Sequence, residues 1–206
     1  MAQRPPAMIY LASQSPRRQQ LLEQWGVAIH KLVAAPDEDT EALEVVHGAE
    51  APATYVQRVT RLKLQAALAR MAHQGLAPRP VLCADTTVAL DRKILGKPES
   101  KRHAREILAA LSGRSHHVLT AVAIGTLKEQ ALLLSRSRVT FAPLTPAQID
   151  RYVATGEPMG KAGAYGIQGL AGLWVSEIRG SYTGIMGLPA FETAQLLRRF
   201  GCQPAV

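Results

Sequence analysis

The sequence contains few of the residues on which several protein classes depend. Only two of its 206 residues are cysteines, Cys83 and Cys202, so neither a disulfide framework nor a zinc site is expected, and a reducing cytoplasm is the simplest location. Aromatic residues make up 5% of the chain and are scattered, which argues against a stacking surface for single-stranded nucleic acid. The longest apolar runs, such as ALLL at residues 131–134, are too short to span a membrane, and the N-terminus lacks the pattern of a secretory signal.

The composition that remains is typical of one globular domain. Hydrophobic residues account for 47% of the chain and charged residues for 19%, which is enough apolar material for a substantial core. We expect a single domain over residues 1–206, with its core at about residues 8–200, because no repeat or low-complexity linker divides the chain. The net charge of +8 indicates an anionic partner, which could be nucleic acid, a membrane surface or a phosphorylated small molecule.

Apolar periodicity predicts helices alternating with strands. Helices are predicted from Pro16, over residues 54–72, over residues 101–113, from Pro146 after a Thr145 cap, and near the C-terminus. Strands are predicted at residues 8–11, 81–91 and 173–180, with a meander of two or three strands over residues 116–144. Residues 30–52 have the composition of a surface loop. The pattern favours an α/β or α+β fold with a mixed sheet.

The first helix carries two arginines where cations are unfavourable. Ser15 is in the N-cap position, Pro16 is the first helical residue, and Arg17 and Arg18 follow in the first turn, at the positive end of the helix dipole. A helix N-terminus directly after a strand binds anions, and a guanidinium can contact two phosphate oxygens at once. Two interpretations stay open: an anion site, or two arginines that turn out to solvent.

Asp85 interrupts the apolar strand VLCADTTVAL. A charged side chain in such a run is costly unless it is paired or holds a metal, so Asp85 is a candidate functional residue, although an Asp that caps the following turn would look similar. A second carboxylate could come from the acidic run PDEDTE. The run offers Asp37, Glu38, Asp39 and Glu41 without favouring any of them, and a solvated acidic loop is the commoner meaning of such a run.

Two lysines and a glycine-rich segment complete the candidates. Lys63 lies on the helix over residues 54–72, and Lys97 is fixed between Gly96 and Pro98 in LGKP, which lacks the spacing of a P-loop. Glycine recurs at positions 160, 163, 166, 169 and 172, where it would let the backbone approach a ligand closely. Lys161 and Gln168 lie in this segment, and the Gln168 amide could hydrogen-bond the edge of a base.

Taken together, four segments resemble the Maf family of nucleoside triphosphate pyrophosphatases. They are LASQSPRRQQLL, ADTTVAL with LGKP, LSGRSHHVLTAV, and the glycine-rich stretch from YVATG to IMGLP. They occur in the order of the family's motifs, from about residue 9 to residue 200. The resemblance implies an ITPase-like (Maf/Ham1) α/β fold, a long twisted mixed sheet flanked by helices with a central nucleotide cleft.

The resemblance also implies an activity and residue roles. The expected enzyme is cytoplasmic, depends on Mg²⁺ or Mn²⁺, and hydrolyses a nucleoside triphosphate to the monophosphate and pyrophosphate. Asp85 matches the proton acceptor and could equally be a metal ligand, Glu38 matches an acidic residue that helps to hold the metal, and Lys63 and Lys97 match lysines of the phosphate cleft. The expected phosphate-binding residues are Ser13, Ser15, Arg17, Arg18, Lys97 and Lys161.

Substrate choice in the family depends on the positions of Arg17, Thr86 and Gln168, and this set resembles the dTTP/UTP subgroup. One alternative is a pyrophosphatase for 7-methyl-GTP or another modified purine nucleotide. An alternative of a different class is a non-catalytic nucleic-acid-binding regulator of septation. The expected partner is the nucleotide substrate, with no membrane or nucleic-acid partner, and a homodimer is implied by the resemblance alone.

Overall fold

A computed structural model describes residues 8–35, 38 and 41–204 of the chain. The acidic candidates Asp37 and Asp39 and the side chain of Glu41 lie outside the described residues. Among the described helices none is long and apolar enough to cross a membrane.

Strands and helices follow one another along the whole described chain. The strands are β1 (Ile9–Leu11), β2 (Ile29–Lys31), β3 (Val81–Leu90), β4 (Lys93–Leu95), β5 (Ser115–Gly125), β6 (Gln130–Phe141) and β7 (Val175–Arg179). The helices are α1 (Pro16–Gln24), α2 (Pro52–His73), α3 (Lys101–Leu111), α4 (Pro146–Ala154), α5 (Tyr182–Met186) and α6 (Ala190–Arg199). Short 3₁₀ turns cover Glu41–Glu44, Ala162–Ala164 and Leu170–Trp174.

The predicted α/β architecture, a mixed sheet flanked by helices, is confirmed. The longer predicted elements are present, including the Thr145 capping box at the start of α4 and the β5–β6 hairpin. The sequence patterns did not indicate β2, the turn Glu41–Glu44 or α5. These segments are three to five residues long, which is too short for a period to show. The turn and the last two residues of β2 also lie within the stretch predicted as a surface loop.

The sheet has a gap beside the middle of β3. Among the described residues seven strands form one sheet in the order β2-β1-β3-β5-β6-β7, with β4 paired to β3. β1 runs parallel to β3 and pairs with Val81 and Leu82, whereas β4 pairs antiparallel with Val88 to Leu90 on the same side. Within the described chain, residues 83–87 of β3 therefore pair with β5 alone. Asp85 and Thr86 lie in this gap.

The alternation of side chains along β3 sends these two residues to opposite faces of the sheet. Cys83 packs in a cluster with Leu64 and Met71 of α2, whereas Leu82 and Ala84 pack with residues of α1 and α6 on the other face. Asp85 lies two residues after Cys83, on the same face of the strand, and points toward α2. Thr86 lies four residues after Leu82, on the same face of the strand, and points toward α1.

At the far end of the sheet, α3 and α4 pack over a core that includes a buried histidine. His116 on β5 is 1% exposed, and its Nε2 atom lies 2.7 Å from the Tyr165 hydroxyl. Its ring also makes an edge contact with Phe141. Burial, with a smaller contribution from His117, lowers the pKa of His116 from 6.5 to about 4. The adjacent His117 is exposed, as expected for neighbouring residues of a strand.

This histidine predicts a loss of stability in acid. The folded state keeps His116 neutral below pH 6.5 while the unfolded state takes up a proton, so the free energy of unfolding should fall by about 3 kcal/mol between pH 6.5 and pH 4. His116→Gln keeps a hydrogen-bonding group near Tyr165 but does not titrate. Urea unfolding of both proteins across this range should give a smaller pH dependence for the variant. Identical pH dependence in the two proteins would contradict the assignment.

Candidate functional site

A cleft of about 490 Å³ opens at the gap in the sheet, between the N-terminus of α1, the face of α2 and the glycine-rich segment. Its volume is in the range of small-molecule sites. Ten of the candidate residues named from the sequence line it: Ser13, Ser15, Arg17, Arg18, Lys63, Asp85, Thr86, Lys97, Lys161 and Gln168. Glu38 does not line it. The structure thus brings together residues that are more than 150 positions apart in the chain.

An alternating row of charges runs across the cleft on the α2 side. The Nζ atom of Lys63 donates to Oδ1 of Asp85 at 2.6 Å and to Oε1 of Glu44 at 2.6 Å. The Nζ atom of Lys97 donates to Oε2 of the same Glu44 carboxylate at 2.9 Å. Asp85 therefore has the partner that a carboxylate in an apolar strand needs.

The mutual stabilisation of these groups shows in their pKa values. Burial alone would lower the pKa of Lys63, but Asp85 and Glu44 outweigh it and the net pKa is raised. Burial alone would raise the pKa of Glu44, but Lys63 and Lys97 outweigh it and the net pKa is lowered. Both groups are charged at neutral pH. Tyr55 on α2 has its pKa raised to about 12, first by burial and then by the charges of Asp85 and Glu44.

The two arginines of α1 bind the C-terminal end of α5. Nε of Arg17 donates to the Met186 carbonyl at 3.3 Å, and Nε of Arg18 donates to the Gly187 carbonyl at 2.8 Å. The end of a helix presents carbonyl oxygens without intrahelical partners and a partial negative charge, so cations are favourable there. The contacts with the C-terminus of α5 are favourable for two cations that are unfavourably placed in the first turn of α1.

Arg18 also joins the loop after β1 to the gap in β3. Its NH1 atom donates to the Ser13 hydroxyl at 3.2 Å and its NH2 atom to the Thr86 hydroxyl at 3.4 Å. The Thr86 hydroxyl lies 2.9 Å from that of Thr120, which donates to the Gly184 carbonyl. Burial lowers the pKa of the Arg18 guanidinium, although Asp85 opposes the shift. Arg18 thus fixes the position of Thr86.

Ser15 lies in the N-cap position of α1, but its side chain makes no capping hydrogen bond, in contrast to the expected cap. Its backbone N–H instead donates to the Ser13 hydroxyl at 3.2 Å. The first turn of α1 lines the cleft without a side-chain cap, which is the arrangement that suits binding of an anion.

The glycine-rich segment packs closely on β3. Gly163 has φ +69°, and a Cβ atom there would lie 2.8 Å from the Val88 side chain. Its N–H donates to the Gly96 carbonyl at 3.1 Å, which joins this segment to the loop that carries Lys97. The ammonium group of Lys161 donates to the Glu157 carbonyl, and Gln168 is exposed at the edge of the cleft.

Glu38 is held apart from Asp85. Its carboxylate accepts two hydrogen bonds from Arg70, one of them from Nε at 2.8 Å, and these bonds lower the pKa of Glu38. Arg70 lies seven residues after Lys63 on α2, two turns or roughly 10 Å along the helix axis. The prediction that Glu38 and Asp85 share a metal ion finds no support in this arrangement.

The carboxylates of the cleft suit a hard divalent cation. In the described part of the chain no group of three or more His, Cys, Asp or Glu side chains gathers into a metal site. Mg²⁺ is usually held by one or two carboxylates together with substrate phosphates and water, so it does not require such a group. Among the described residues, Asp85 and Glu44 are the carboxylates that line the cleft.

The sequence interpretation missed Glu44 and Arg70. Glu44 lies six residues after Glu38, in a stretch assigned to a surface loop, and no local feature separates it from its acidic neighbours. Arg70 had a usable signal, because its spacing of seven residues from Lys63 puts both side chains on the same face of α2.

The chain is similar to several known proteins. A family model described as Maf-like protein matches residues 8–200. The chain is 63% identical over 193 residues to the dTTP/UTP pyrophosphatase of Polaromonas sp. strain JS666, covering 94% of this chain and 96% of that protein. It is 58% identical to the dTTP/UTP pyrophosphatase of Albidiferax ferrireducens, again covering 94% and 96%. The solved structure of a HAM1 protein from Coxiella burnetii aligns with 67% of this chain and 74% of that one, at 19% identity and a TM-score of 0.43.

The close contact of Gly163 with Val88 predicts a specific sensitivity. Gly160→Ala should cost about 1–2 kcal/mol, because Gly160 has φ +71° with no atom within 4 Å of the new Cβ. Gly163→Ala has the same backbone penalty and in addition a clash with Val88, which should cost about 1–3 kcal/mol more. Chemical denaturation of the two variants measures the difference. Equal stability would show that the segment does not depend on this contact.

Proposed function

Since the chain belongs to the Maf family, we propose that its cleft binds dTTP or UTP and hydrolyses the bond between the α and β phosphates. The products are the nucleoside monophosphate and pyrophosphate. The observation that carries the proposal is the Asp85–Lys63 pair in a cleft where, among the residues that the structure describes, cationic side chains outnumber carboxylates by six to two. The cations are Arg17, Arg18, Lys63, Arg70, Lys97 and Lys161.

These charges suit the reaction. A water oxygen attacks the α-phosphorus, the bond to the bridging oxygen breaks, and its electron pair leaves with pyrophosphate. Asp85 is the group that takes the proton of the water, and Lys63 holds its carboxylate in place. Lys97, Lys161 and the first turn of α1 lie where they can offset the charge on the phosphate chain.

The enzyme is proposed to use Mg²⁺ or Mn²⁺, with Asp85 and phosphate oxygens as ligands. When bound, such an ion neutralises phosphate charge and lowers the pKa of a bound water. Glu38 stays a predicted second ligand, although a role at the metal would require it to leave Arg70. Glu44 is the other carboxylate in the cleft.

Selection of the base is proposed to involve Arg17, Thr86 and Gln168. All three line the cleft, and hydrogen bonds hold Arg17 and Thr86 in place. Gln168 carries both a donor and an acceptor, as does the edge of a thymine or uracil ring. Relatives named dTTP/UTP pyrophosphatase support the pyrimidine assignment over 7-methyl-GTP. These names also favour an enzyme over a non-catalytic regulator that binds nucleic acid.

We also propose that the protein acts as a single domain in the cytoplasm. One sheet joins the described strands, and the two cysteines are buried and unbridged. A homodimer stays a prediction from the resemblance.

The nucleotide preference can be tested directly. Release of pyrophosphate from dTTP, UTP, dCTP, GTP and 7-methyl-GTP should be measured with Mg²⁺ and separately with Mn²⁺. We expect dTTP and UTP to have the highest kcat/KM, because Gln168 suits a pyrimidine edge. A preference for a purine nucleotide would contradict the assignment.

The role of Asp85 predicts a loss of turnover without a loss of the fold. Asp85→Asn removes the proton acceptor and should lower kcat for dTTP by about a thousandfold or more. Lys63 would still pair with Glu44, so the thermal unfolding midpoint should remain close to that of the wild type. Asp91→Asn, in the exposed turn after β3, is the matched control and should retain full activity. Near-normal hydrolysis by Asp85→Asn would overturn the mechanism.

A further inference from the structure

One carboxylate of the cleft, Glu44, is held by two lysines at once. Its two oxygens accept separately, Oε1 from Lys63 at 2.6 Å and Oε2 from Lys97 at 2.9 Å. A phosphate group also presents several oxygens to cations, so it could take the same two donors. The carboxylate therefore lies where the proposed function places substrate phosphate.

We infer that Glu44 stands in for a phosphate group: it holds Lys63 and Lys97 together and competes with pyrophosphate for them after hydrolysis. The inference rests on the proposed function, because it needs a phosphate chain in the cleft. Glu44 is then a positioning residue whose charge promotes release of the product.

The surroundings of Glu44 suit this role. The backbone carbonyl of Glu44 accepts a hydrogen bond from the Tyr55 hydroxyl at 2.8 Å, which anchors the segment to α2. The side chain of Glu44 can then change partners while its backbone stays in place. Its carboxylate is ionised at neutral pH, since the two lysines lower its pKa.

The two lysines differ in how readily they can exchange partners. The side chain of Lys97 is 45% exposed, whereas that of Lys63 is 19% exposed and also bound to Asp85. Exposed ion pairs contribute little free energy, so the contact between Lys97 and Glu44 is the easier one to break. An arriving phosphate therefore displaces Glu44 from Lys97 first, while Lys63 keeps its contact with Asp85.

The Glu44 carboxylate and a phosphate group compete for the two lysines because both are anions. Without Glu44 the repulsion between the two ammonium groups would increase, and a phosphate that binds them would have one anion fewer to displace. With Glu44 present, each bound phosphate breaks an existing ion pair and comes close to a like charge. The carboxylate thus weakens the binding of pyrophosphate and prevents the product from remaining on the lysines.

The test is the binding of inorganic pyrophosphate to Glu44→Gln by isothermal titration calorimetry, without divalent metal and in the presence of a chelator. Glutamine has nearly the same shape but no charge, so pyrophosphate should bind about five- to tenfold more tightly than to the wild type. Pyrophosphate should also inhibit dTTP hydrolysis by the variant at correspondingly lower concentrations. Glu99→Gln is the matched control, because it removes the same charge from an exposed position two residues after Lys97. Its affinity for pyrophosphate should not change.

Unchanged or weaker binding of pyrophosphate to Glu44→Gln would overturn the inference. A thermal unfolding midpoint near that of the wild type confirms that Glu44→Gln is folded. If Glu44→Gln does not fold, Glu44→Ser is a second variant, and it should bind pyrophosphate more tightly by the same factor. Wild-type hydrolysis of dTTP separates the two proposals. If the wild type hydrolyses dTTP but Glu44→Gln shows no tightening, the inference alone fails, whereas absence of hydrolysis contradicts the proposed function.

Discussion

The ion pair between Asp85 and Lys63 is the interaction on which the cleft depends. β3 is buried along nearly its whole length, and a charged side chain in such a strand needs an opposite charge within hydrogen-bonding distance. Two features of the fold supply it. The gap between β1 and β4 leaves room beside Asp85, and α2 crosses the same face of the sheet with Lys63 directed at the carboxylate. The position of the helix and the chemistry of the strand are therefore linked.

A second constraint joins two helix ends that are far apart in the chain. Arg17 and Arg18 are unfavourable in the first turn of α1, yet the same side chains bind the carbonyls of Met186 and Gly187 at the end of α5. The contacts at the second helix end thus act against the electrostatic penalty at the first. The two interpretations drawn from sequence, an anion site or solvent, both omitted this partner, which becomes visible only when residues 169 positions apart come together.

Much of the fold can be predicted from the sequence because the hydrophobic residues of its longer helices and strands recur with a recognisable period. The helix α2 and the hairpin of β5 and β6 are of this kind, whereas β2 and α5 are short and are stabilised by tertiary contacts. The same distinction applies to the residues of the site. Asp85 could be predicted because a charge in an apolar strand is a local anomaly. Glu44 could not, because an acidic residue in a polar segment is ordinary until Lys63 and Lys97 are placed beside it.

Four of the cations in the cleft form two groups according to the partner that holds them. Arg17 donates to a backbone carbonyl, and so does Lys161. A carbonyl carries no formal charge, so these hydrogen bonds orient the side chains without pairing them with an anion.

Lys63 and Lys97 are held by carboxylates instead, and their charge is largely compensated until a phosphate replaces Glu44. On the proposed function, the first group provides long-range attraction for an incoming triphosphate. The second group binds phosphate only after the nucleotide has reached the cleft and displaced Glu44 from Lys63 and Lys97. On these two proposals, the cleft attracts a highly charged nucleotide and still releases the equally charged pyrophosphate. Release is favoured because Lys63 and Lys97 can pair with Glu44 again.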